Sequence, residues 1–463
     1  MKPFFRVPSL LMVLALLAGA LPVVRAVGTN LVVVGDDLQT RINEAGPGDT
    51  LVIQSGTYSG KITVDKPLTF VRSGTEPVNL LYPVTVATAG IVNLSQLNFA
   101  ADIGAATQNL DLRIYDCSGQ NLTVTDGKLT LRRSYLAGTL NLTRTDTDAL
   151  RHTNNGRVNF NGASSATKSK MTLSQCRVQS LVLAYNCQLA MAYTFAQGVG
   201  TTDSDTVGVG NQLFNSTDRL GTPEGWLTAA VFVRGKHRWS NSQFFNSSYW
   251  GFRNEQFFAV NGTDCDQEII NCDIITWGSG WPGVHGGSSL GIGCTGGRHV
   301  LKNNYFEIHS HSPPSYGVHG LNGAIVDFSD SLVHGASWSW DFLQGTAYGA
   351  IDTIAAAGAS APVPTNVRVV TDNLASVTWP DQWGYKVMIL PNSPLINGGS
   401  KDPLYNNTDG SRNTVGSTGG PLYHPENATT DRPIAFWATT TPRRIIKGVD
   451  TVIKVEAAAA AGH

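Results

Sequence analysis

Between Val207 and His334 the chain repeats itself. An asparagine recurs at Asn211, Asn241, Asn271 and Asn303, at intervals of 30, 30 and 32 residues, and Asp330 follows 27 residues later. Two residues before this column stand Val209, Trp239, Ile269, Leu301 and Phe328; three after it stand Phe214, Phe244, Ile274, Phe306 and Val333. A period of this length, built of strand-type residues without helical periodicity, specifies stacked units that bury a continuous core only together. Equivalent residues of successive units then lie about 4.8 Å apart, as strand neighbours do in any sheet. An amide at an inward corner would bond to the coils above and below, so the column predicts an inward asparagine ladder.

The pattern apolar-x-Asn-x-x-apolar, seen from Ile269 to Ile274 and from Leu301 to Phe306, resembles the right-handed β-helix proteins of the pectate-lyase-like superfamily. The likeness is to an architecture and identifies no single enzyme family. It implies an all-β, single-stranded, right-handed parallel β-helix over residues 27 to 430. Residues 431 to 463 then form a C-terminal β-strand extension. Asp36 or Asp37 is placed to cap a short helix carrying Leu38, Ile42 and Ala45 on one face. With Gly46-Pro47-Gly48-Asp49 and Gly56-Thr57-Tyr58, this resembles the opening coil of exported bacterial β-helix proteins. Such a helix covers the open strand edges and apolar end of a solenoid. Asn392 to Gly399, Asp409 to Asn413 and Gly419-Gly420-Pro421 resemble the tail that closes many of them. Strand-like Val367 to Val370, Ser376 to Trp379 and Lys386 to Leu390 are expected to finish the helix.

Residues 1 to 26 read as a signal peptide, with Lys2 and Arg6 before the apolar run Leu10 to Leu17 and a small-residue exit at Ala26. That run is too short to span a bilayer. The expectation is a secreted protein, extracellular, periplasmic or on the cell surface, and monomeric. A formal net charge of −1 and only 14% charged residues supply no field that would attract nucleic acid or an anionic membrane. In such a compartment six cysteines invite bridges. Cys117, Cys176 and Cys272, however, share one column just after the asparagine position and read as small packing residues. Cys265 and Cys294 are the best candidate pair.

Loops between ladder strands are where a solenoid carries function. Six of ten histidines fall between His285 and His334, and Trp250, Trp277, Trp281, Trp338 and Trp340 lie in or beside that span. Subtracting the period places Glu307 beside His334 and His309 beside Trp277. A carboxylate one coil from an imidazole raises its basicity, as a general base requires, so Glu307, His334 and His309 are the candidate catalytic residues. Trp277, Trp281, Asp273 and Arg253 are the candidate substrate-binding residues. A glutamate beside a histidine on a solenoid surface is nonetheless more often a solvated pair. His309-Ser310-His311 with His285 or His319 matches no established metal signature, and Asp264-Cys265-Asp266 and Asp203-Ser204-Asp205 are weak Ca²⁺ candidates. No cofactor is firmly expected. Arg238 and Glu268 should form a cross-coil ion pair of little energetic weight.

The resemblance adds little at the site. The Gly-His-Gly element and clustered aspartates of polygalacturonase-like hydrolases are met only by Val284-His285-Gly286-Gly287 and Val318-His319-Gly320, without an aspartate pair. No acidic triplet accompanies Arg234, Lys236 or Arg253, as the arginine base of pectate lyases would require. Two functions compete: binding of an extracellular polysaccharide, with lyase or hydrolase cleavage, or a non-catalytic surface or matrix role.

Overall fold

The computed structural model describes residues 27–162, 168–216, 228–248, 257–278, 289–309, 315–336, 348–353, 364–370, 375–381, 384–423, 434–441 and 452–458. The signal-like residues 1–26 lie outside them. Among these residues, thirty-five strands between Thr29 and Val370 join one sheet by parallel pairing. From Asp205 to Leu321 each strand pairs with the strand three later, which is the signature of a coil with three faces. The first face carries Asp205–Val209, Lys236–Ser240, Asp266–Ile270, Arg298–Lys302 and Ile325–Ser329. Gln212–Ser216, Gln243–Ser248, Asp273–Gly278, Tyr305–His309 and Leu332–Ala336 make the second. Ala230–Val233, Phe257–Thr263, Ser289–Thr295, Ser315–Leu321 and Tyr348–Thr353 make the third. The chain is a parallel β-helix, with one contiguous apolar core from Val32 to Val333.

Helix α1 (Leu38–Glu44) covers the N-terminal end. Asp37 is its cap, accepting a hydrogen bond from the Gln39 amide, and Leu38, Ile42 and Ala45 are buried. The buried Asp49 fixes the following turn by accepting the amides of Gly28 at 2.7 Å and Gly46 at 2.8 Å.

The asparagine column is a corner, not an inward ladder. Asn241 (φ 49°), Asn271 (φ 53°) and Asn303 (φ 57°) take the left-handed conformation that turns the first face into the second. Asparagine tolerates that region better than most residues. In earlier coils Arg133, Arg151, Gln175 and Tyr193 hold the same place, also with positive φ. The inward ladder exists one residue later, and it is made of small polar side chains. The Cys176 amide donates to Thr194 Oγ1 (3.3 Å), Thr194 to Asn211 Oδ1 (3.0 Å) and Asn211 to Ser242 Oγ (3.2 Å). Cys272 then donates to Asn304 Oδ1 (2.9 Å) and Asn304 to Ser331 Oγ (3.0 Å).

Asn211 therefore belongs to this ladder, while Gly210 (φ 65°) takes the corner beside it. The first repeat is accordingly 31 residues, Gln212 pairing with Gln243, and the inward partners of Trp239 and Phe244 are Gly208 and Leu213 rather than Val209 and Phe214. A Cβ at Gly208 would fall inside the Trp239 ring, so glycine is what admits the indole.

Cys117, Cys176 and Cys272 all lie just after the corner, buried. All six cysteines are free thiols, the pair Cys265 and Cys294 included. Burial pushes the Cys117, Cys176 and Cys265 thiols up to about 12, which leaves them unreactive.

The coil before Gly208 spans 17 residues from Met191, whereas the next spans 31 to Trp239. The added length falls between the second and third faces. Within Thr143 to Lys170, Thr153–Asn154 lies on the second face and Val158–Asn161 on the third.

Among the described residues the parallel sheet reaches Val370. Ala375–Asp381 and Gly384–Ile389 pair with each other antiparallel, as do Ile434–Thr441 and Val452–Ala458. Strands separated by so few residues can only form a hairpin, because a parallel return needs a crossover of about a dozen residues or more.

Candidate functional site

On the outer side of the second face one position per coil aligns into a row. Ser118, Tyr135, Thr153, Arg177, Phe195 and Gln212 are successive partners in the pairing register, and Gln243, Asp273, Tyr305 and Leu332 continue it. Tyr135 is 40% exposed, and Thr153, Arg177, Phe195 and Gln212 are partly exposed. Its hydroxyl meets the Asn155 amide at 2.5 Å. The Arg177 guanidinium stands 5.5 Å from the centroid of the Phe195 ring. Ahead of them the row is an amide and hydroxyl ladder, Asn98 Nδ2 donating to Asn79 Oδ1 and Ser118 Oγ to Asn98 Oδ1, both at 2.7 Å.

At Gln243 the exposure ends. Gln243 is 9% exposed, Asp273 2%, Tyr305 1% and Leu332 0%. The segment from Leu395 to Gly420 lies over them. Asp273 accepts hydrogen bonds from the Ser417 amide (2.9 Å), the Ser417 hydroxyl and Gln243 Nε2 (3.1 Å). Burial raises the Asp273 pKa, against the lowering effect of those donors. Asn241 Nδ2 donates to the carbonyls of Ser417 (2.9 Å) and Gly419 (2.6 Å). Asn271 and Asn413 exchange amide hydrogen bonds at 3.2 and 3.1 Å, and Asn303 Oδ1 accepts the Ser400 amide at 2.8 Å. Leu395 and Val415 join Phe214, Phe245, Ile275, Tyr305 and Leu332 in a second apolar cluster outside the solenoid core. The tail thus packs along the side of the solenoid.

The expected pairings are present: Glu307 faces His334, and Trp277 faces His309, one coil apart. Their setting differs from an open surface. Glu307 is 6% and His334 2% exposed. Glu307 Oε2 accepts the Tyr305 hydroxyl at 3.1 Å. Burial, and then the Glu307 charge, push the Tyr305 phenol well above its ordinary value, opposite to what a tyrosinate base needs. Trp277 is half-buried, edge-on to Phe245 with centroids 5.2 Å apart. The side chain of His309, and Arg253, Trp281, His285 and His311 entirely, lie outside the described residues. His319 is buried, its ring 6.2 Å from that of Phe258.

Among the described residues no group of three His, Cys, Asp or Glu side chains is placed to hold a metal. Asp203 is engaged by Arg234 at 2.6 and 2.7 Å, and Asp205 by Lys168 at 3.2 Å and the Lys236 amide at 3.1 Å. Ser204 and Cys265 between the acidic pairs point inward, buried.

The first face carries a depression of about 160 Å³ lined by Lys236, Arg238, Asp266, Glu268 and Arg298. Its charges alternate along the axis: Asp111 faces Lys128, Lys128 faces Asp146, Lys236 faces Asp266 and Asp266 faces Arg298. Opposite charges directly across a ladder stabilise it, and they neutralise each other. Arg238 and Glu268 approach to 3.4 Å, both well exposed, a pair of little weight.

Sequence reasoning missed the row before Gln212, although Tyr135, Arg177 and Phe195 each stand two residues after a left-handed corner, which a correct register would have aligned. It also missed the inward histidines. His237 stacks on Phe232 at 4.5 Å and meets Thr206 Oγ1 at 3.1 Å; His299 meets Gln267 Oε1 at 3.1 Å. Both serve the core.

No family model and no curated protein matches the chain. Among solved structures it is similar to the crystal structure of pectate lyase Pel9A, at TM-score 0.31 and 12% identity over 85% of this chain and 97% of that one. It is also similar to a PL6 alginate lyase complex with trisaccharide, at TM-score 0.35 and 11% identity over 89% and 98%. At these scores neither likeness bears on activity, and the parallel β-helix rests on the strand ladder itself.

Proposed function

We propose that the protein binds an extracellular polysaccharide laid along the second face. The observation that carries this reading is the row Tyr135, Thr153, Arg177, Phe195 and Gln212, in register, with Tyr135 exposed and the others partly so. Aromatic rings offer apolar faces to sugar C–H groups, the amide and hydroxyls offer hydrogen bonds, and the Arg177 guanidinium contributes positive charge. Their spacing of about 4.8 Å per coil matches an extended chain better than a compact ligand. The self-neutralised first face offers no comparable set, and a bare spacer would have no use for exposed aromatics in register.

Trp277, half-buried on the second face, extends the binding proposal, and Trp281 and Arg253 remain in it as sequence candidates outside the described residues. Asp273 belongs to the covered part of the row. Cleavage by lyase or hydrolase chemistry would fall to Glu307, His334 and His309, and would require the burial of Glu307 and His334 to be relieved. Export through residues 1–26 belongs to the same reading; among the described residues no helix is long and apolar enough to cross a membrane.

The test is a panel of acidic and neutral polysaccharides, assayed for binding, for unsaturated products and for new reducing ends. Phe195→Ala and Arg177→Ala should each weaken binding by about tenfold, the worth of one lost stacking or charged contact. Glu268→Gln on the first face should leave it unchanged. Unsaturated products would mean a lyase, and reducing ends without them a hydrolase; either should vanish in Glu307→Gln. Absence of binding to every glycan, or binding untouched by both row variants, would refute the reading.

A further inference from the structure

We infer that Leu395 to Gly420 is a detachable strap that covers the C-terminal half of the row and sets how much of it a ligand can use. This rests on the reading of the row as a glycan track.

The strap joins no sheet. Among the described residues 390–423 the only regular element is a single 3-10 turn, Pro403–Tyr405. Its hold is mostly polar: Asn241, Asn271, Asn303, Gln243 and Asp273 grip its backbone and Ser417, while Leu395 and Val415 supply the apolar contacts. Exchanging such hydrogen bonds for bonds to water costs only about 1 kcal/mol each. A segment held this way opens at a lower free energy than the solenoid unfolds.

Nor does the solenoid need the cover at this corner. The equivalent corner residues of earlier coils, Asp116, Arg133 and Arg151, stand exposed.

The strap also presents the chemistry of a sugar chain. The carbonyls of Thr414, Gly416, Ser417 and Gly419 accept from the corner amides of Asn241 and Asn271 beside the row, and on the row itself the Ser417 hydroxyl behaves as a sugar hydroxyl would, donating to Asp273 and accepting from Gln243 Nε2. Amide donors that take these oxygens take sugar hydroxyls equally well. Close approach is secured by glycine. Gly416 has φ +95°, and a Cβ there would lie 2.5 Å from Asp273 Oδ1.

Gly416→Ala should therefore lift the strap without touching the solenoid. Three readouts apply: hydrogen exchange of peptides from 395–420, labelling of Asp273 by a water-soluble carbodiimide with an amine, and affinity for oligosaccharides of increasing length. The expected result is strap exchange faster by about tenfold, Asp273 labelled in the variant and protected in the parent, and a gain in affinity confined to the longer oligosaccharides. The double variant Asn413→Ala, Ser417→Ala should behave alike. Unchanged strap exchange in both variants would show that the segment is an integral wall and overturn the proposal. So would an open strap with no gain for long oligosaccharides that the parent already binds. If neither parent nor variants bind any glycan while Asp273 becomes labelled on opening, the strap stands as a cover and the glycan reading falls.

Discussion

Single residues decide where each coil turns and what it can enclose. Gly208 is the sharpest case, since the Trp239 indole occupies the space its side chain would take. Overpacking a core costs about 1 to 3 kcal/mol. Gly208→Ala should lower stability by that amount in urea titrations, and Trp239→Phe in the same chain should restore part of it. An unchanged midpoint would mean that the indole is not packed there. The inward histidines set the acid limit. Burial lowers the His152 and His237 pKa values to about 4, while an unfolded histidine titrates near 6.5. The folded state thus binds fewer protons between those values. Its stability is complete above about pH 6.5 and falls toward pH 4, by a term on the order of 3 kcal/mol for each residue. Asp273 has the opposite sign: its raised pKa favours the fold at low pH and weakens it as pH rises through the folded value. His152→Leu should flatten the loss of stability between pH 6.5 and 4, whereas Asp273→Asn should steepen it. Equal slopes in His152→Leu and the parent would contradict the assignment.

At the scale of elements, the sequence made the strands and the N-terminal helix readable and the tail's position unreadable. Trp239, Ile269, Leu301 and Phe328 repeat because the core demands an apolar residue there, and that demand is visible as a period. The pairing of Glu307 with His334 followed directly from it. A corner residue and its inward neighbour differ by one position, however, and asparagine suits both places. That ambiguity misplaced Asn211 and turned a set of left-handed corners into a supposed inward ladder. The tail has no period at all. Its site is chosen by hydrogen bonds between residues 97 to 178 positions apart, such as Asn303 with Ser400 and Asn241 with Gly419. Local sequence does not encode a contact at that separation. The register of the candidate pair is therefore legible in the sequence, whereas its burial is not.

For the whole molecule, one continuous parallel ladder makes position along the axis a linear ruler, with about 4.8 Å per coil. A polymer lying on the second face would be measured against that ruler, and the strap would mark where it stops. Far-ultraviolet circular dichroism should show strand with very little helix, as befits a chain whose one α-helix is Leu38–Glu44 among the described residues. The central claim is that the row from Tyr135 to Gln212 is where a polysaccharide lies. It is tested most directly by hydrogen exchange of the protein with and without a bound glycan from the panel. The expected result is added protection on the second-face strands from Tyr135 through Gln212, with the first face from Lys236 to Arg298 unchanged. Protection on the first face instead, or bound glycan with no protection along the row, would contradict it.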